Sequence, residues 1–181
     1  MANRSYLYSV NEIPTAKNHK DLTLKGISEF NYGVPLVHLI LVSSDTKTCP
    51  SFFMSDVDAL IGNYEKGLKT LTALFELMKK KGVDLPGLFN EKISESLKFL
   101  ERTDRKQKYF LLEPFEILDM DSGPHALTIN TYKEWAAELF SYIEDGDIEA
   151  INEFVGEDIL THYEEHMGFG SWSEVLYWSQ K

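Results

Sequence analysis

The order of apolar and polar positions divides this chain into segments of different period. Ser5 to Val10 alternates and is rich in tyrosine, so it reads as an N-terminal strand. Asn11 to Lys20 is polar, contains Pro14 and reads as a loop. Asn31-Tyr32-Gly33 is a turn signal that introduces a nearly unbroken apolar run from Val34 to Ser43. A buried strand over 34–43 is the first expectation and a short buried helix the alternative, because periodicity does not separate them. From Asp56 to Lys81 the apolar residues recur at steps of three and four (Val57, Leu60, Ile61, Tyr64, Leu68, Leu71, Leu74, Phe75, Met78). That stripe predicts one long helix, capped by Ser55 and ended by Gly82, with three lysines at the negative end of its dipole. Its interior glycines, Gly62 and Gly67, each cost about 1 kcal/mol relative to alanine. They imply either a neighbour in close approach or an exposed side that tolerates them.

Pro86-Gly87 marks a turn, and Asn90 is placed to cap a second helix reaching about Thr103, with Ile93, Leu97 and Leu100 facing inward. Tyr109 to Leu112 and Phe115 to Leu118 are strand-like and divided by Pro114. Thr131 and Glu134 have capping-box spacing ahead of Tyr132, Trp135, Ala136, Leu139 and Ile143. Asp145-Gly146-Asp147 turns the chain, and Asp147 caps a helix carrying Ile148, Ile151 and Val155. A further helix is expected from Glu157, then a glycine-rich turn at 168–170 and an aromatic end, Trp172 to Trp178, docked on the core. The expected architecture is α+β: one globular domain over 1–181, with a small sheet from strands near 5–10, 34–43 and 109–118. Several helices pack on it, and the C-terminal half is helical and acidic.

Composition narrows the class. A hydrophobic content of 43% belongs to a folded chain rather than to an acidic disordered one. A single cysteine, Cys49, excludes an internal disulfide and suits the cytoplasm, and the first ten residues hold no signal-peptide core. The apolar stretch Val34 to Val42 is too short to span a bilayer, so no membrane partner is expected.

Charge is sorted along the chain. Residues 1–112 carry 16 Lys+Arg against 13 Asp+Glu, whereas residues 113–181 carry 16 Asp+Glu against only Lys133 and Lys181. Solvated helix faces usually interleave both signs, so the one-sided second part points to a basic partner. It also argues against nucleic acid, whose phosphates it would repel. The candidate partner-binding carboxylates are Glu144, Asp145, Asp147, Glu149 and Glu153, followed by Glu157, Asp158, Glu164 and Glu165. Trp172, Tyr177 and Trp178 are candidate aromatic anchors, with core packing as their competing role.

Catalytic motifs are weak by comparison. His162-Tyr163-Glu164-Glu165-His166 has the H-x-x-E-H form of inverted zinc proteases, which would place His162 and His166 on one helical face with Glu165 as base. A third ligand is missing: the residues after His166 contain no His, Cys or Asp. Asp119-Met120-Asp121-Ser122-Gly123 begins like a calcium loop, but the twelfth position is Asn130 instead of a bidentate Glu. Cys49 lacks any family signature of a nucleophile, and His38, inside an apolar run, reads as a satisfied core residue. No P-loop or dinucleotide fingerprint is present, so no cofactor is expected.

The first nine residues, Met1-Ala2-Asn3-Arg4-Ser5-Tyr6-Leu7-Tyr8-Ser9, resemble the opening of a group of small bacterial immunity proteins. These belong to contact-dependent growth inhibition and other polymorphic toxin systems. The resemblance implies a non-enzymatic cytoplasmic protein that binds and blocks one cognate toxin, often a basic nuclease, with an EndoU-like RNase as one type. It carries over no catalytic residues. A general protein-interaction or adaptor domain with another basic partner is the alternative, and a small metal-dependent hydrolase a third.

Overall fold

The computed structural model describes residues 3–15, 17–18, 20–80, 87–120, 127–156, 167–168 and 172–177. Five strands, β1 (Arg4–Val10), β2 (Leu24–Asn31), β3 (Lys47–Pro50), β4 (Asp58–Asn63) and β5 (Tyr109–Glu113), form one sheet in the order β2-β1-β5-β4-β3. Every pairing in it is antiparallel. Six helices accompany it among the described residues: α1 (Leu36–Val42), α2 (Tyr64–Lys80), α3 (Gly87–Leu100), α4 (Phe115–Leu118), α5 (Ile129–Asp145) and α6 (Ile148–Val155). The fold is α+β.

Each strand of the centre is buried on both faces. Leu7, Ile27, Leu60, Phe110 and Leu112 point into a core completed by α1, α2, α5 and α6. Tyr6, Tyr8, Ala59, Ile61 and Leu111 point the other way, into a second cluster with Leu22, Phe52, Phe115 and Leu176. That outer cluster is roofed by connections, the short α4 and the C-terminal tail. Two-sided burial erases the alternation that marks a half-exposed strand.

Several expectations are corrected for this reason. Residues 36–42 form helix α1 instead of a strand; all seven are buried, and a helix satisfies its own backbone groups where no strand neighbour is free. The predicted helix from Asp56 to Lys81 begins only at Tyr64, because residues 58–63 are strand β4. Leu60 and Ile61 fell on the helical stripe by coincidence of spacing. Phe115 to Leu118 is the one-turn helix α4, so the strand expected over 109–118 stops at Glu113, ahead of Pro114. Helix α3 starts at Gly87 and ends at Leu100, earlier at both ends than the span Asn90 to Thr103. Strands β2 and β3 were not anticipated.

The interior glycines have a structural reason. A Cβ at Gly62 would lie within 3.0 Å of Val42 backbone atoms, and one at Gly67 would run into the Leu41 carbonyl. The C-terminal turn of α1 is thus seated directly on the backbones of β4 and α2, a contact that only glycine permits. Its last carbonyls are satisfied locally: Ser43 Oγ donates to Ile40 O at 2.8 Å and Thr46 Oγ1 to Val42 O at 2.6 Å.

Candidate functional site

Helices α5 and α6 carry the acidic part of the chain that the structure describes. Helix α5 begins one turn earlier than Thr131 and Glu134 suggest: Thr128 is the N-cap and accepts from Thr131 N, while Thr131 Oγ1 accepts from Thr128 N. Gly146 ends it in the left-handed region (φ 71°), which an L side chain rarely adopts. Asp147 Oδ1 then accepts from Ala150 N at 3.0 Å and caps α6, as its position in the turn predicts. The reversal holds the two helices side by side.

Tyr132, Ala136, Leu139 and Ile143 of α5, with Ile148 and Ile151 of α6, are buried. Everything acidic faces out. Glu134, Glu138, Glu144, Asp145, Asp147, Glu149 and Glu153 are all exposed, with Lys133 as the only basic side chain on the two helices. No ion pair among the described residues engages Glu134, Glu138, Glu144, Asp145 or Glu153. Asp145 accepts from Ser141 Oγ at 3.4 Å. Elsewhere on the surface some carboxylates are paired: Lys66 meets Asp45 at 2.8 Å and Lys106 pairs with Glu65 at 2.5 Å.

An apolar notch of about 150 Å³ opens on the same helix pair, lined by Val34, Leu36, Leu39, Trp135, Phe154 and Val155. Trp135 and Phe154 meet edge to face at 5.9 Å and both remain half-buried. The periodicity of α5 assigns Trp135 to the inward stripe, and only the packing of α6 shows that its ring reaches the surface.

The predicted aromatic anchors separate. Trp172 is half-buried, donates its indole N–H to Ser96 Oγ at 2.8 Å and stacks on Phe99 with centroids 6.0 Å apart. Tyr177 is exposed, with the Arg4 guanidinium 5.1 Å from its ring centre. Between them Glu174 receives both Arg102 and Arg105, the latter at 2.6 Å. The tail is therefore strapped to strand β2 and to the end of α3, away from the acid-bearing turn. Glu157, Asp158, Glu164, Glu165 and Trp178 lie outside the described residues, as do His162 and His166 of the zinc-like pattern and Asp121 to Gly123 of the calcium-like one. Among the described residues no cluster of three or more His, Cys, Asp or Glu has the spacing of a metal site.

His38, Cys49 and Glu113 are titratable groups that lie inside. His38 is fully buried, with Nε2 2.9 Å from Ser28 Oγ and Nδ1 without a partner, and desolvation pulls its pKa down to about 3. Cys49 is buried, and desolvation, reinforced by Glu113 and Asp58, pushes its thiol up to about 12, which removes nucleophilic character at neutral pH. Glu113 ends β5 wholly buried. Its carboxylate accepts from Ser51 Oγ at 2.7 Å and from Phe52 N at 2.6 Å, yet desolvation outweighs both bonds and raises its pKa to about 7. Ser51 Oγ in turn accepts from Phe53 N and Met54 N at 3.1 and 3.2 Å. Its two lone pairs are used, and its single proton is aimed at Glu113. Nothing in the local sequence distinguishes Glu113 from the surface acids around it.

A family model matches residues 11–155, the larger part of the chain. The chain belongs to the DUF7822 family. Its members share a domain of unknown function, and the match runs from the loop after β1 to the last residue of α6. The acidic α5–α6 pair is therefore inside the DUF7822 domain, while β1 and the strapped tail flank it. No curated protein and no solved structure matches the chain.

Proposed function

We propose that this DUF7822 protein is an immunity protein, acting in the cytoplasm, that binds and neutralises a cognate bacterial toxin through the acidic face of α5 and α6. The observation that carries the reading is the set of outward carboxylates on these helices, five of them in no ion pair among the described residues, with the Trp135–Phe154 notch on the same helix pair. Leaving like charges unneutralised on one face costs stability through mutual repulsion, and a basic partner relieves that cost on binding. The aromatic pair supplies a rigid apolar centre of the kind that anchors interfaces, while the surrounding acids speed encounter and reject wrong partners. A nuclease, which needs a basic cleft to grip phosphates, is the class of toxin such a face fits, an EndoU-like RNase among them. The resemblance of the first nine residues to immunity proteins supports the same reading independently of charge. Binding, not catalysis, is the activity.

The test starts from the neighbouring genes: a toxin domain encoded there is produced together with this protein. Co-expression should rescue growth, and purified components should associate with a rate that falls steeply as salt rises. Reversal of Glu144, Asp145, Glu149 and Glu153 to Lys should slow association by about tenfold or more at low salt and flatten the salt dependence. Asp147 is spared because it caps α6. An association rate unchanged by the four reversals would remove the acidic face as the interface, and failure of rescue would remove the immunity reading.

A further inference from the structure

A cavity of about 480 Å³ lies where the end of α1 meets α2 and α5. That volume is in the range of small-molecule sites, roughly 300–1,000 Å³. Its floor is fixed from below. The close approaches of Leu41 to Gly67 and of Val42 to Gly62 pin the chain just ahead of Ser43 and Ser44, and Asn63 N donates to Ser44 O at 2.9 Å. Asp45 then turns the chain away in the left-handed region (φ 57°), which aspartate tolerates. A floor held in this way is in place before any ligand arrives.

Three buried hydroxyl residues line the cavity, Ser43, Ser44 and Thr70, and their protons are all committed. Ser43 Oγ donates to Ile40 O at 2.8 Å, and Thr70 Oγ1 to Lys66 O at 3.0 Å. The 3.0 Å contact between Ser44 Oγ and Thr70 Oγ1 therefore takes the Ser44 proton. What remains is a set of oxygen lone pairs that accept hydrogen bonds and have none to give.

The rim carries both signs. Lys66 is held by Asp45 at 2.8 Å. Lys69 and Glu144 line the same cavity, are exposed, and enter no ion pair among the described residues, either with each other or elsewhere. A cation from α2 and an anion from α5 thus share one cavity, each open to an opposite charge. Ala73 and the half-buried Phe140 supply the apolar part of the lining.

We infer that this cavity binds a small zwitterion, a free amino acid with an apolar side chain. The carboxylate meets Lys69. The ammonium, which has only protons to offer, meets Glu144 and the lone pairs of the hydroxyl floor, and the side chain lies on Phe140 and Ala73. An anion alone is repelled by Glu144 and a cation alone by Lys69, so the site selects a molecule that carries both charges. The inference stands apart from the toxin reading, because a small ligand here requires no protein partner.

The probe is phenylalanine, titrated into the full chain and followed by the backbone amide signals of Ser44, Asp45 and Thr70 in heteronuclear NMR. These signals should shift and saturate. Phenylalaninamide, which lacks the carboxylate, and N-acetylphenylalanine, which lacks the ammonium, should each bind about tenfold more weakly or worse. Lys69→Met and Glu144→Gln, both at exposed positions, should weaken phenylalanine binding by about the same factor while the melting temperature stays unchanged. Unmoved signals at the three amides overturn the inference. So does equal binding of either blocked derivative, or full binding by either variant.

Discussion

Glutamine at position 113 removes a carboxyl buried among Tyr8, Cys49 and Phe52, and its effect should depend on pH in a defined way. The folded protein holds the Glu113 proton up to about 7, whereas an unfolded chain releases it near 4.5. Between those values folding takes up a proton, so stability falls as pH rises, and the loss is complete above about pH 7. The separation corresponds to about 3 kcal/mol. His38 works in the opposite direction over an overlapping window. Its folded pKa lies near 3 instead of 6.5, so stability present above 6.5 is lost as pH falls toward 3. The wild-type profile sums the two, and the difference between wild type and Glu113→Gln isolates the first. Urea unfolding at intervals from pH 4.5 to 8 should show the wild type losing about 3 kcal/mol relative to the variant across that range. The variant has its own fixed cost, because an amide N–H aimed at Ser51 Oγ meets lone pairs already taken by Phe53 N and Met54 N. That cost shifts the difference curve without tilting it. A flat difference would refute the claim that desolvation governs Glu113.

Gly67→Ala should destabilise by about 1–3 kcal/mol in the same assay, because the new methyl meets the Leu41 carbonyl, although alanine is the better helix former; a net gain in stability would contradict the close approach. Glu174→Lys should free the tail from Arg102 and Arg105, seen as faster amide exchange at Ser173 and a changed Trp172 fluorescence, with no comparable effect from Val175→Lys at a 77% exposed position. Cys49 should react with a thiol reagent only at the rate of unfolding near neutral pH, and prompt labelling of the native protein would argue against its burial.

Local chemistry was legible where it acts alone. The tyrosine-rich β1, the Gly146 reversal, the Asp147 cap and the amphipathic α5 were all read from neighbours within a few residues. What failed depends on distant packing. The run 36–42 is uniformly apolar because α1 is enclosed on every side, so it carries no period to read. Strand β4 was absorbed into the following helix because Ala59, Leu60, Ile61 and Gly62 are all buried, with no polar face to betray a strand. Strand β2, with Lys25, Gly26 and Glu29, has weak strand propensity and owes its place to β1 and the tail. For the candidate site, exposure of Glu144 to Glu153 followed from the helical pattern, but the Trp135–Phe154 notch required knowing where α6 folds back.

The strapped tail also bears on how the molecule is made. Tyr177 N donates to Glu29 across 148 positions of sequence, and Ser28 pairs with Trp172 in an isolated bridge, so the far edge of the sheet is closed by residues synthesised long after β2. Until they emerge, β2 presents an open row of backbone groups to other nascent chains. Arg102 and Arg105, already in place when Glu174 arrives, offer a charged landing point that shortens this exposed interval. The edge that a neighbouring chain could exploit is thus guarded by an electrostatic catch that sets only once Glu174 has been made.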